Sequence, residues 1–213
     1  MQAVPLGDSA ITIVLGIERS KELLDRVHAT ATALAAQNLA NVMDIVPAYL
    51  GVAVFYEPLQ TAYAEMAAKL LSVCEGITVA TNASDKVREH EIRVTYNGAD
   101  LAQVCLSTEL SVDEVIALHT GRRYSVDLLG FVPGFAYLSE LDRALQLPRR
   151  PQPRSRVPGG SVAIAGAQTA VYPLDTPGGW HIIGRTDSVM FDPSREPAAL
   201  LRAGDIVRFV AAP

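Results

Sequence analysis

The chain has 213 residues, of which 49% are hydrophobic and 19% charged, and a formal net charge of −5. A chain of this size removes roughly 70% of its unfolded surface from water, so it can build a core without disulfides or metals. The acidic balance argues against a general nucleic-acid binder, and no apolar run approaches the ~20 residues that span a bilayer.

The opening residues, M-Q-A-V-P-L-G-D-S-A, lack the basic start and apolar run of a secretory signal, so a cytoplasmic protein is expected. Cys74 and Cys105 show no metal-ligand spacing and read as reduced core residues. A-I-T-I-V-L, from Ala10 to Leu15, is a β-rich run after the turn-like Gly7-Asp8-Ser9. Residues 20–37 place Leu23, Leu24, Val27, Ala31 and Leu34 at helical spacing, with Ser20 as a cap and Asn38 near the end. V-M-D-I-V-P and L-G-V-A-V-F-Y follow as strands, with Pro47 at an edge. Residues 60–74 predict a second helix with Ala62, Met66, Leu70 and Val73 on one face, and I-T-V-A at 77–80 a fourth strand. The order β-α-β-β-α-β is ferredoxin-like.

The polar stretch Thr81 to Glu89 reads as a linker, which puts an α+β domain at 1–83 and a second domain at 84–213. I-R-V-T-Y is an alternating strand ended by the turn pair Asn97-Gly98. Ser111 and Glu114 form a capping box ahead of V-I-A-L-H. Beyond residue 123 short β-rich runs alternate with Gly and Pro: Y-S-V-D-L-L-G-F, S-V-A-I-A-G, T-A-V-Y-P, W-H-I-I-G, S-V-M-F and D-I-V-R-F-V. That texture predicts an antiparallel barrel or sandwich.

Several stretches offer chemistry. In T-P-G-G-W-H-I-I-G-R-T, Gly178 and Gly179 permit close backbone approach to a ligand. A regular strand there puts Trp180, Ile182, Gly184 and Thr186 on one face and His181, Ile183 and Arg185 on the other. A ligand groove and an ordinary half-buried strand fit this stretch equally well. G-F-V-P-G-F-A-Y-L gathers Phe131, Phe135 and Tyr137 around the turn pair Pro133-Gly134, either as a pocket wall or as barrel packing. P-R-R-P-Q-P-R-S-R carries Arg149, Arg150, Arg154 and Arg156 with no acid among them, a pattern suited to an anionic ligand or to a solvated loop. His119 ends a helix, where it suits either the helix dipole or general acid–base work. Asp127 interrupts an apolar strand, and Gln168-Thr169 offer neutral hydrogen bonds. No phosphate loop, dinucleotide fingerprint, metal motif or serine-hydrolase elbow is present in the sequence.

Taken together, G-F-V-P-G-F-A-Y-L, then P-R-R-P-Q-P-R-S-R-V-P-G-G-S-V-A-I-A-G-A-Q-T-A-V-Y-P, then P-G-G-W-H-I-I-G-R-T resemble the family of the 5-oxoprolinase B subunit, also called allophanate hydrolase subunit 1 or the KipI family. The N-terminal G-D-S-A, V-P-A-Y and L-H-T at 118–120 resemble it too. The resemblance is collinear over nearly the whole chain. It departs at Ala167 and Gly159, where relatives often carry Gly and Ala, and at His181, a variable position in the family.

The resemblance implies a cyclophilin-like β-barrel after the α+β domain. It implies work with the A and C partner subunits in opening 5-oxoproline to glutamate with ATP and Mg, with no cofactor held tightly by this chain alone. It leaves two other roles within the family, inhibition of a sensor histidine kinase and carboxyl transfer in a urea or allophanate system. Neither a metal, a nucleic acid nor a membrane is expected as a partner. On this reading Arg154, Arg156 and Arg185 meet anions, and Gln168 and Thr169 supply hydrogen bonds. Phe131, Pro133, Gly134, Phe135, Gly178, Gly179 and Trp180 shape the pocket, and His119, Gln168 and Arg185 are the catalytic candidates.

Overall fold

A computed structural model describes residues 1–77 and 87–212. The chain divides into two compact units, 1–86 and 87–213. No helix among the described residues is long and apolar enough to cross a membrane.

In the first unit the strands are β1 (Gln2–Pro5), β2 (Ala10–Val14), β3 (Val42–Pro47) and β4 (Gly51–Tyr56), in the sheet order β1-β2-β4-β3. Every pair is antiparallel. Helix α1 (Lys21–Ala36) begins where the Ser20 hydroxyl accepts from the Leu23 N–H at 3.1 Å, a cap worth about 1 kcal/mol. It buries Leu23, Leu24, Val27 and Leu34, while α2 (Tyr63–Glu75) buries Met66, Ala67, Leu70 and Cys74. Both faces meet Ile11, Ile13, Val52 and Val54 of the sheet. The sequence gives no signal for β1, an edge strand whose return to β2 passes Gly7 at φ 68°. The strand expected at 77–80 lies outside the described residues except for Ile77.

The second unit is a barrel. Its strands are β5 (Glu89–Val94), β6 (Arg123–Leu129), β7 (Ala136–Ser139), β9 (Ser161–Ala165), β10 (Gln168–Val171), β12 (His181–Arg185) and β13 (Ile206–Ala211). They run in the order β12-β9-β10-β7-β6-β13-β5. Thr95 and Arg185 bridge the two end strands and nearly close the sheet. The expectation of a wholly antiparallel sheet is corrected here, because β13 lies parallel to β5. A short ribbon of β8 (Arg154–Val157) and β11 (Thr176–Gly178) forms a separate pair. S-V-M-F is not a strand; only Phe191 makes a bridge, to Ala199.

Inside the barrel Ile92, Val126, Leu138, Val162, Ile164, Ile183 and Phe209 are buried, each such side chain contributing roughly 1.5–3 kcal/mol. Helices α3 (Leu101–Thr108) and α4 (Val112–Thr120) add Leu101, Val104 and Val115 to that core. The α4 start is the expected capping box: Glu114 N–H donates to the Ser111 hydroxyl at 3.3 Å and Ser111 N–H to the Glu114 carboxylate at 2.8 Å. Helix α3 follows Asp100, a residue type that often caps helices. The carboxylate of its leading residue, Asp100, makes no cap bond because it is committed elsewhere.

Candidate functional site

The barrel wall has two lined faces. Directly opposed residues in a sheet share a face, so Ile182, Ala163 and Ala170 stand on one side, as do Ala165, Gln168 and Ser139. This is the outer face. Its floor is small, and Phe135, Tyr172, Trp180 and Val157 close over it. Phe135 sits edge-on to Tyr137, Tyr172 and Trp180 with centroids 4.9, 5.3 and 5.7 Å apart. The predicted pocket-wall residues Phe135 and Trp180 are therefore brought together, and Tyr137 and Tyr172 join them.

Gly178 is required there. A Cβ at that position would lie 2.3 Å from the Tyr172 hydroxyl oxygen. Burial pushes this hydroxyl upward, and the Trp180 backbone N–H near that oxygen, a smaller effect, favours its ionisation. Gly179 is less constrained; its nearest neighbour would be Pro153 at 3.6 Å. At the turn, Gly134 has φ 78°, and a Cβ would meet that of Phe191 at 2.6 Å. Pro133 is exposed beside it. Phe131 is 59% exposed yet has φ 72°, and Val132 N–H donates to Gly130 C=O at 2.9 Å across it. This is the strained kind of γ-turn, and it holds an aromatic ring at the rim, edge-on to Phe135 at 5.5 Å.

At one end of the outer face lies a buried carboxylate. A register shift between Val126 and Leu128 places Asp127 so that the Ser139 hydroxyl donates to it at 2.5 Å. The Gln168 amide donates to its other oxygen at 3.3 Å and is oriented by that bond. Near the aromatic group, Arg149 is close enough for its charge to favour ionisation of the Tyr137 and Tyr172 hydroxyls, although burial, the larger effect, pushes both upward. Arg149 itself is exposed and has no ion pair among the described residues. Gln168, Tyr137, Tyr172 and Arg149 thus give this face polar groups suited to an amide and a carboxylate.

The other predicted arginines are already occupied. Asp100 is 2% exposed and receives both terminal nitrogens of Arg154, at 2.7 and 2.8 Å, the Ile182 N–H at 2.8 Å, and a nitrogen of Arg150. Burial alone would raise the Asp100 carboxyl, but the Arg154 and Ile182 bonds and both arginine charges outweigh it and hold it below the usual range. Arg156 is on the surface, forked onto Asp175 at 2.5 and 2.8 Å. Arg154 and Arg156, expected to meet a ligand anion, each have a carboxylate of their own chain as partner in this structure. Asp100 carries no signal in sequence, because its partners lie 50 to 82 residues away.

His119, a catalytic candidate by sequence, lies in the core. It is fully buried among Tyr96, Tyr124 and Phe209. Thr169 donates its hydroxyl proton to Ala163 C=O at 3.1 Å, so it accepts from His119 Nε2 at 2.9 Å. Nδ1 then accepts from the Tyr96 hydroxyl at 2.7 Å. Burial pushes the imidazole down to about 3, which keeps it neutral. His119 and Thr169 meet inside the barrel, where their bond helps hold the core in register.

Arg185 stands apart from the Gln168 end. A bulge between Ile182 and Gly184 pairs Arg185 with Ser161 and so moves it onto the face of Ile182, against the regular alternation expected. It is exposed and lines a cleft of about 750 Å³ with Glu91, Arg93, Thr95, Asn97 and Asp187.

Known proteins share this architecture. Residues 1–201 match the family described as carboxyltransferase domain, subdomain C and D. A 5-oxoprolinase B subunit of Bacillus subtilis is 38% identical over 98% of this chain and 92% of its own length. One from Escherichia coli O157:H7 is 54% identical over 56% of each. Among solved structures, TTHA0988 superposes with a TM-score of 0.85 at 39% identity; the chain covers 96% of itself and 40% of that longer protein. Kluyveromyces lactis urea amidolyase shares the fold, with a TM-score of 0.80 at 14% identity over 99% of this chain and 15% of its own. The chain belongs to the carboxyltransferase subdomain C and D family, among relatives named as the B subunit of 5-oxoprolinase.

Proposed function

We propose that the chain is the B subunit of an ATP-dependent 5-oxoprolinase and that the outer barrel face receives the lactam. The observation that carries this is the near full-length similarity to the Bacillus subtilis B subunit. The finer architecture fits a ferredoxin-like unit followed by a cyclophilin-like barrel, working in the cytoplasm with the A and C partner subunits. Arg149 meets the substrate carboxylate, and Gln168 with the Tyr137 hydroxyl orients the ring amide. Phe135, Tyr172 and Trp180 form an apolar wall that limits water.

ATP enters as the co-substrate of the assembled enzyme. Phosphorylation of the lactam oxygen makes the ring carbon electrophilic. Water adds, the C–N bond breaks as nitrogen gains a proton, and a second water releases phosphate to leave glutamate. This chain's residues bind and orient; the proton moves by groups other than His119. Purified chain mixed with the A and C partner subunits should release glutamate from 5-oxoproline only when ATP is present. No release from the three together sinks the reading.

A second reading, carboxyl transfer on a urea-derived substrate, is favoured by the family match over residues 1–201. Carboxylation of urea by the chain with a biotin carboxylase, and no action on 5-oxoproline, would select it.

A further inference from the structure

Among the described residues β12 bridges antiparallel to the end of β5 at Thr95, and Gly98 and Asp100 beyond it donate to Ile183 and Ile182. An extended continuation would have faced Arg93 and then Glu91. Instead Thr186 N–H donates to Gly160 C=O at 2.8 Å, and Ser188 N–H donates back to the Thr186 hydroxyl at 3.1 Å, turning the chain away. Among the described residues β5 therefore keeps an unpaired edge. Ile206 and Ala212 N–H groups donate to Arg88 and Val94, so the even-numbered residues face β13. Glu91 and Arg93 direct their N–H and C=O groups to the seam, as Thr95 does, and neither has a main-chain partner among the described residues.

The seam opens into the cleft of about 750 Å³. At roughly 3.3 Å rise, 4.8 Å strand spacing and 10 Å sheet thickness, that is room for about five residues of extended chain. Its charges lack strong internal partners. Arg185 has no carboxylate partner among the described residues, and the Arg93–Glu91 approach is 3.8 Å, too long for a hydrogen bond. Thr186, Asp187 and Ser188 of the turn also line the cleft.

We propose that this seam receives one extended segment of a partner polypeptide, added to β5 in the place β12 vacates. The segment reads acidic–any–basic: the acid faces Arg93 and Arg185, and the base, two residues on, faces Glu91. This rests on the proposed function only for who supplies the segment.

The test uses the full chain and two synthetic peptides, Ser-Thr-Glu-Thr-Lys-Thr-Ser and its charge-swapped form Ser-Thr-Lys-Thr-Glu-Thr-Ser, followed by amide NMR. The first should shift the Glu91 and Arg93 amides and bind at least tenfold more tightly than the second. Arg93→Pro deletes a seam-facing N–H while sparing the β13 ladder, and should abolish the shifts with circular dichroism unchanged. If that variant does not fold, Arg185→Glu should reduce the preference between the peptides at least threefold. Equal binding of both peptides, or shifts confined to other residues, overturns the proposal. So does protection of Glu91 and Arg93 that grows with protein concentration alone, which would assign the edge to a second copy. Glutamate release by the three subunits is scored separately, so an inactive assembly with intact peptide preference counts against the function and not against the seam.

Discussion

Thr95 and Arg185 exchange both backbone hydrogen bonds, at 2.8 and 2.9 Å, and this one pair joins the two ends of the barrel sheet. The work of Arg185 is therefore divided: its main chain holds the seam, and its side chain faces solvent in the cleft.

Arg185→Ala should consequently keep the fold, changing unfolding free energy by less than about 0.5 kcal/mol. Gly184→Ala should not be tolerated as well, because the new Cβ would lie 2.7 Å from Val94 Cγ1 and 2.8 Å from Thr95 C=O. A loss of about 1–3 kcal/mol is expected in urea unfolding. Equal stability of the two variants would show that the seam is not tightly closed.

Asp100→Asn leaves two arginines beside a neutral amide and should cost about 3–5 kcal/mol. The Asp100 carboxyl is lowered in the fold, so its stabilisation is complete above the unfolded value near pH 4 and is lost as pH falls through the folded value below it. Acid unfolding of the wild type should show that loss, and the variant should lack it.

His119 is depressed to about 3 in the fold against an ordinary value of 6.5. Its contribution is present above pH 6.5 and declines as pH falls towards 3, with a slope of up to about 1.4 kcal/mol per pH unit. His119→Gln keeps one donor and one acceptor for Thr169 and Tyr96 but cannot titrate. Between pH 6 and 5 its stability should be flatter than that of the wild type. In glutamate release, its pH profile should keep the wild-type shape; loss of one limb would restore a catalytic role.

Gly178→Ala drives a methyl group into the Tyr172 hydroxyl and should destabilise by about 1–3 kcal/mol. Adding Tyr172→Phe removes the clashing oxygen, so the double variant should recover part of the loss. A simple sum of the two single effects would mean that the residues are not in contact.

Local signals located most of the fold. Ser20 and the Ser111–Glu114 box start their helices as expected, and the Leu23, Val27 and Leu34 stripe buries itself. β1 escaped because a four-residue edge strand carries too little pattern, and α3 because eight residues span barely two helical turns. The bulge at Ile182–Gly184 was equally invisible, and it reverses the face of Arg185. The aromatic wall was legible from G-F-V-P-G-F and P-G-G-W. The arginines were not, since a row of like charges does not reveal which of them meets Asp100 or Asp175 across the fold.

The parallel pairing of β13 with β5 has a bearing on how the protein is made. Among the described residues Glu89 to Val94 find their sheet partner in Ile206 to Ala211, far later in the chain. The barrel cannot finish until Ala211 has been made and has left the ribosome, and until then β5 offers both its edges to the cell. The charges at Glu89, Glu91 and Arg93, alternating with His90, Ile92 and Val94, then guard the nascent chain against misassembly with its neighbours.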